Sequence, residues 1–99
     1  MNALLVAAYK GRDACVRALI AAKANVAYVD RRNGNTTLHI AADNNRASTC
    51  RVLIDEGASL TAVNRDGQTP LELAKARGHA ECVAILESAG AAAAAEVRN

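Results

Sequence analysis

Apolar residues recur along this chain in short bursts spaced for helices of about two to three turns, separated by polar, glycine-marked stretches. Leu4, Leu5 and Ala7 form the first burst; Asn2 is placed to cap it and Gly11 to end it. Cys15, Val16, Leu19 and Ile20 form the apolar stripe of a second helix, from about Asp13 to Ala22. A third helix opens at Leu38 behind the cap Thr36 and stops at Asn45. A fourth, from about Ala47 to Glu56, carries Thr49, Cys50, Leu53 and Ile54. The last pair is predicted over about 70–77 and 80–88.

The densest local signal is the run Asn64–Ala74. Gly67 ends a tight turn, where positive φ costs glycine nothing. Thr69 is a natural N-cap, Pro70 suits the first helical position, and Glu72 completes a capping box with Thr69. Gly78 supplies the stop. Residues 26–36, with the turn dipeptide Asn33-Gly34, and residues 60–68 read as extended, hairpin-like fingers.

These units are copies of one another. Leu4, Leu38 and Leu71 align, as do Ala7, Ala41 and Ala74, then Leu19, Leu53 and Leu86, at steps of 34 and 33 residues. The extra residue falls in the run Asp30–Asn33 before Gly34. A period near 33 with helix–turn–helix content signals stacked repeats. Gly34–Ala42, Gly67–Ala74, Gly78-His79 and the pairs Gly57-Ala58 and Gly90-Ala91 make the chain resemble the ankyrin repeat family over about residues 2–91. The resemblance implies a mainly α fold, an ankyrin-type repeat solenoid of stacked helix pairs joined by fingers. One domain is expected over 1–90, with repeats at about 1–29, 30–63 and 64–90, and an Ala-rich tail or linker over 91–99.

Departures from the family pattern are informative. Lys23 stands where the other repeats have Gly57 and Gly90, so strain is expected at that helix end. Thr37 replaces the family proline and Asn45 a C-cap glycine. The finger asparagine that the family hydroxylates is absent, since Ala27 and Thr61 stand there. Glu87 and Lys75 fall in registers that are apolar in the earlier repeats, as a terminal cap requires, so the array is expected to end at Gly90. The N-terminal helix lacks such treatment. Weak self-association or partner docking through Leu5 and Val6 is therefore expected, or a chain cut from a longer array.

Composition narrows the function. The 99 residues are 52% hydrophobic but hold only two tyrosines and no Phe or Trp, so the core must be close-packed Ala, Leu, Val and Ile. A net charge of +2 argues against nucleic acid as the partner, and no apolar run would cross a membrane. Cys15, Cys50 and Cys82 lack metal-ligand spacing and fall on the helix stripes, which reads as buried, reduced thiols in a cytoplasmic protein, with the nucleus as the alternative. His39 and His79 occupy different repeat positions and read as structural. No triad, phosphate loop or metal cluster can be assembled, so neither catalysis nor a cofactor is expected.

What the repeat leaves free is a surface. The resemblance implies binding through finger tips and the exposed side of each first helix. Those positions are Tyr9, Lys10, Tyr28, Arg31, Arg32, Asn33 and Asn35, then Asp43, Asn44, Arg65, Asp66, Gln68 and Arg77. Tyr and Arg are common interface anchors. The expected function is a protein–protein interaction module that takes a partner with an acidic or mixed patch. The alternatives are an oligonucleotide- or ligand-binding array, or a targeting or regulatory fragment of a larger multidomain protein.

Overall fold

The computed structural model describes residues 2–97, with side chains to residue 91. It contains six helices: α1 (Ala3–Lys10), α2 (Asp13–Ala21), α3 (Thr37–Asp43), α4 (Ala47–Asp55), α5 (Pro70–Arg77) and α6 (Ala80–Val97). Among the described residues the only β pairing is one antiparallel bridge, Val29 to Thr36, at the base of the first finger. Helices pair as α1 with α2, α3 with α4 and α5 with α6; α1, α3 and α5 stack in one layer, α2, α4 and α6 in another. This is the mainly α solenoid expected from the period.

The three N-caps occupy one register. Asn2 Oδ1 accepts from the Leu5 N–H at 2.9 Å, Thr36 Oγ1 from His39 at 3.3 Å and Thr69 Oγ1 from Glu72 at 3.2 Å. Glu72 returns the favour to the Thr69 N–H at 3.0 Å, closing the capping box, and these bonds hold its carboxyl below the usual range. The stops share a register too: Gly11, Asn45 and Gly78 have φ of 70°, 58° and 72°. Lys23 is left-handed at φ 74°, and its N–H and that of Ala24 close on Ile20 and Leu19 at 2.9 Å, a Schellman pattern on a residue with a Cβ.

Gly90, expected to end the array, does not stop the last helix. It has no positive φ, and α6 runs on to Val97. The alanines that follow are the best helix formers, so the helix continues through a residue that elsewhere would reverse it.

The core is Leu4, Leu5, Leu38, Leu53 and Val16, all at most 1% exposed, closed by small Ala41, Ala42 and Ala74. Each large side chain contributes on the order of 2 kcal/mol by leaving water. Leu5 is thus inside, while Val6 is 37% exposed; the pair expected to share an open face is split. Asp13 ties the outer layer, accepting from Ser48 Oγ at 2.6 Å and from Thr49. The polar side of the third repeat carries a Lys75–Glu87 pair at 3.7 Å, each more than half exposed.

His39 links the inner layer to the second finger. Its Nδ1 lies 3.1 Å from the Thr36 backbone N–H, which can only donate, so Nδ1 is the acceptor. Nε2 therefore carries the proton and donates to the Gln68 carbonyl at 2.8 Å. His79 makes the parallel contact to the Asp43 carbonyl at 3.0 Å. A second proton on His39 would point at the Thr36 N–H in a side chain that is fully buried, and desolvation accordingly lowers its pKa.

One linkage prediction follows from that geometry. Because the folded pKa lies below the unfolded value, the unfolded chain binds more protons in that window. Stability is then full above about pH 6.5 and falls as pH drops through the folded pKa. Denaturant midpoints at pH 7 and pH 5 should show this fall, and His39→Gln should flatten it. An equal fall in the variant would assign the effect elsewhere.

Two departures from the repeat pattern should be repairable. Thr37 is wholly buried at the first helical position, and its Oγ1 has no hydrogen-bond partner among the described residues; Pro70 fills the same register. Thr37→Val removes the orphaned hydroxyl and Thr37→Pro also stiffens the unfolded chain, so each should stabilise by about 1 kcal/mol. Lys23→Gly should add up to about 1 kcal/mol by relieving the left-handed residue. Urea unfolding measures all of them; an unchanged midpoint for Thr37→Val would show that the hydroxyl is satisfied in solution.

Candidate functional site

Both fingers are built on an acceptor side chain at their base. Asp30 Oδ1 accepts from the Arg32 N–H at 2.9 Å, and Asn64 Oδ1 from the Asp66 and Gln68 N–H groups, both at 3.0 Å. Such short polar side chains replace the missing backbone partners of a tight turn. The first finger closes with Asp30 N–H to the Asn35 carbonyl at 2.9 Å and Gly34 N–H to the Asp30 carbonyl at 2.7 Å. The two fingers then join: the Arg65 N–H donates to the Asn33 carbonyl at 3.0 Å. Gly34 sits at φ 74°, and a Cβ there would lie 2.9 Å from the Arg65 nitrogen, so both conformation and contact require glycine.

Between these fingers and the inner helices lies a polar cleft of about 210 Å³. Six residues nominated from sequence line it: Asn33, Asn35, Asp43, Asp66, Gln68 and Arg77. Arg77 Nε donates to Asp43 Oδ1 at 2.6 Å, tying the end of α5 to the end of α3 across the cleft. Asn64 and Leu73 complete the lining and were not nominated. Asn64 had a signal: like Asp30, it is an Asx residue two positions ahead of the finger residue whose N–H it accepts. Leu73 shares a register with Val6 and Ile40, which marked it only as core.

The other nominees fall elsewhere. Tyr9, Tyr28, Arg31, Arg32 and Arg65 are exposed but do not line the cleft. Arg32 is no free charge: its guanidinium reaches Asp30 at 3.2 Å and holds that carboxyl below its usual range. Asn44 is a helix-end residue, donating through Nδ2 to the Ile40 carbonyl at 2.8 Å. Asn35, expected on an exposed tip, is only 9% exposed and accepts from Asn64 Nδ2 at 2.9 Å.

Lys10 lines a second groove, of about 530 Å³, on the N-terminal side, with Val6, Arg12, Cys15 and Leu19 among its walls. Cys15 was expected to be buried and is exposed. It shares a register with Thr49 and Cys82, both buried, and differs because no further repeat packs on that side among the described residues. Burial pushes the Cys50 and Cys82 thiols up, away from the reactive thiolate form. Among the described residues no cluster of His, Cys, Asp and Glu is placed to hold a metal, and no helix is long and apolar enough to cross a membrane.

Comparison with known proteins agrees with the fold. Residues 4–96 match the family model for ankyrin repeats in 3 copies. The chain is 35% identical over 92 residues to "Nuclear factor NF-kappa-B p105 subunit" of Mus musculus, covering 92% of this chain and 10% of that protein. It is 40% identical over 90 residues to "Dauer abnormal formation protein 25" of Caenorhabditis elegans, covering 89% and 23%. To "E3 ubiquitin-protein ligase KEG" of Arabidopsis thaliana it is 37% identical over 81 residues, covering 82% and 5%. The chain thus spans at most 23% of the length of these relatives.

Proposed function

The chain belongs to the ankyrin-repeat family, whose repeats generally serve as protein-interaction modules, and on that premise we propose that it binds a protein partner on its finger side and catalyses nothing itself. The observation that carries this reading is the cleft, where two fingers and two helices bring polar side chains together that the core does not use. Arg31 and Arg65 stand exposed on the neighbouring fingers, without an ion pair among the described residues, and favour a partner with an acidic patch beside the cleft. The exposed Cys15 thiol supports a reducing compartment, cytoplasm or nucleus.

The test is charge reversal against the natural partner, identified by pulldown. Arg31→Glu with Arg65→Glu should leave the unfolding midpoint nearly unchanged, because exposed charges contribute little to folding. Arg32 is left alone, since a carboxylate there would face Asp30. The double variant should bind about tenfold or more weaker, chiefly through slower, salt-dependent association. Wild-type affinity in the double variant would remove the finger side as the binding surface.

One further observation favours weak self-association as a second reading. Arg46 donates from Nε to the Tyr9 carbonyl at 3.0 Å, across the first repeat boundary. Arg12 stands in the same register, in the N-terminal groove, and in a head-to-tail copy would meet the carbonyl of Ala76. Sedimentation should then show a concentration-dependent shift that Val6→Glu abolishes. A wild type that stays monomeric at the highest concentration would end this reading.

A further inference from the structure

The polarity of the cleft is dictated by the backbone beneath it. An asparagine side chain has one acceptor oxygen and one NH2 donor, so engaging one end fixes where the other points. Asn64 Oδ1 takes the N–H groups of Asp66 and Gln68, so its Nδ2 must donate, and it does so to Asn35 Oδ1 at 2.9 Å. Asn35 must therefore present its oxygen to Asn64, which leaves its own Nδ2 without a partner among the described residues. Asn35 is 9% exposed and lines the cleft, where this donor is open to water. Asn33 repeats the logic: its Oδ1 accepts the Asn35 N–H at 2.9 Å, and its NH2 is left over.

The cleft thus holds both donors and acceptors. Asn33, Asn35 and the end nitrogens of Arg77 offer N–H groups; Asp66 and the second oxygen of Asp43 offer lone pairs. A carboxylate occupant would satisfy the donors but face two like charges. An ammonium or guanidinium would suit the aspartates but face Arg77 and the Asn35 amide. A neutral group that both accepts and donates meets both. The volume, about 210 Å³, lies below the range of about 300–1,000 Å³ typical of whole-ligand pockets and fits one side chain.

We propose that the cleft between the fingers and the ends of α3 and α5 is a subsite for a primary carboxamide, the side chain of a glutamine or asparagine presented by the protein partner. The proposal rests on the finger-side reading above. In the free protein, water can serve the Asn35 amide; a side chain that displaces it must return an acceptor to keep affinity. The carboxamide oxygen faces Asn35 Nδ2, and its NH2 faces Asp66.

The test uses the whole 99-residue chain and four capped tripeptides, Ac-Ala-X-Ala-NHCH3 with X as Gln, Glu, Lys or Ala, titrated under NMR observation; the N-methyl cap keeps the C-terminus from offering a primary carboxamide of its own. The Gln peptide should bind about tenfold tighter than the Ala peptide, the worth of one well-placed hydrogen bond, and should shift the Asn35 side-chain NH2 resonances. Asn35→Asp keeps the acceptor that Asn64 needs and removes the donor, so it should erase that preference. Asp66→Asn, at an exposed position, should narrow the gap between the Gln and Glu peptides, and this arm decides if Asn35→Asp fails to fold. Equal binding of the Gln and Ala peptides would mean main-chain seating and overturn the proposal. So would tighter Glu or Lys peptides, a preference that survives Asn35→Asp, or no binding at all. A natural partner still sensitive to Arg31 and Arg65 reversal would, in those cases, leave the finger-side reading standing without the subsite.

Discussion

Helices this short cannot stand alone, and everything else in the molecule follows from that. The first five run seven to nine residues, below the roughly 12–15 at which an isolated helix becomes even marginal in water. Each pair must therefore bury its apolar side against the next pair. The effect of a missing neighbour is visible within single registers. Ile40 and Leu73 are 6% exposed, while Val6, at the same repeat position, is 37% exposed. Cys82 and Thr49 are fully buried, and Cys15, their counterpart, is not. The same side chain type in the same local structure is core or surface according to whether a repeat lies beyond it. Stability is thus a property of the interfaces between units more than of any unit.

Stacking leaves the fingers with backbone groups that no helix can satisfy, and side chains take over that work. Asp30 and Asn64 each accept N–H groups of their own turn, and His39 spans from Thr36 to the Gln68 carbonyl of the next finger. These three side chains are engaged at both ends, whereas Asn33 and Asn35, which they and the turn hold in place, engage only their oxygens. The uncommitted ends collect on the side the fingers share. That is how one set of residues both folds the chain and furnishes a polar cleft.

The fold was legible in the sequence because its determinants are local. Caps at Asn2, Thr36 and Thr69 and stops at Gly11, Asn45 and Gly78 each act within one turn of helix, and they recur in register. The strain at Lys23 was legible for the same reason. The candidate site was half legible. The repeat marked which positions face outward, but the contacts that decide their role join residues about one repeat apart. Asn35 is consumed by Asn64, 29 positions away, and Arg77 by Asp43, 34 away. End effects escaped too: a register rule learned from inner repeats misplaces Cys15, and Gly90 follows its alanine neighbours rather than its register.

The asparagines separate what the family shares from what this chain adds. Asn64, which both accepts and donates, has to be an amide, but the acceptors required at 33 by the Asn35 N–H and at 35 by the Asn64 amide could be supplied by an aspartate as well as by an asparagine. The first finger already uses one, Asp30, at its base. The fold therefore does not choose between the two residue types at 33 and 35, yet the cleft changes completely with the choice. Carboxylates at 33 and 35 would add two negative charges beside Asp43 and Asp66, and the cleft would become a cation site. Carboxamides instead keep the local charge near balance and turn N–H donors toward the opening. Stacking fixes where the cleft lies; the amide nitrogens left over from the turns decide what it can recognise.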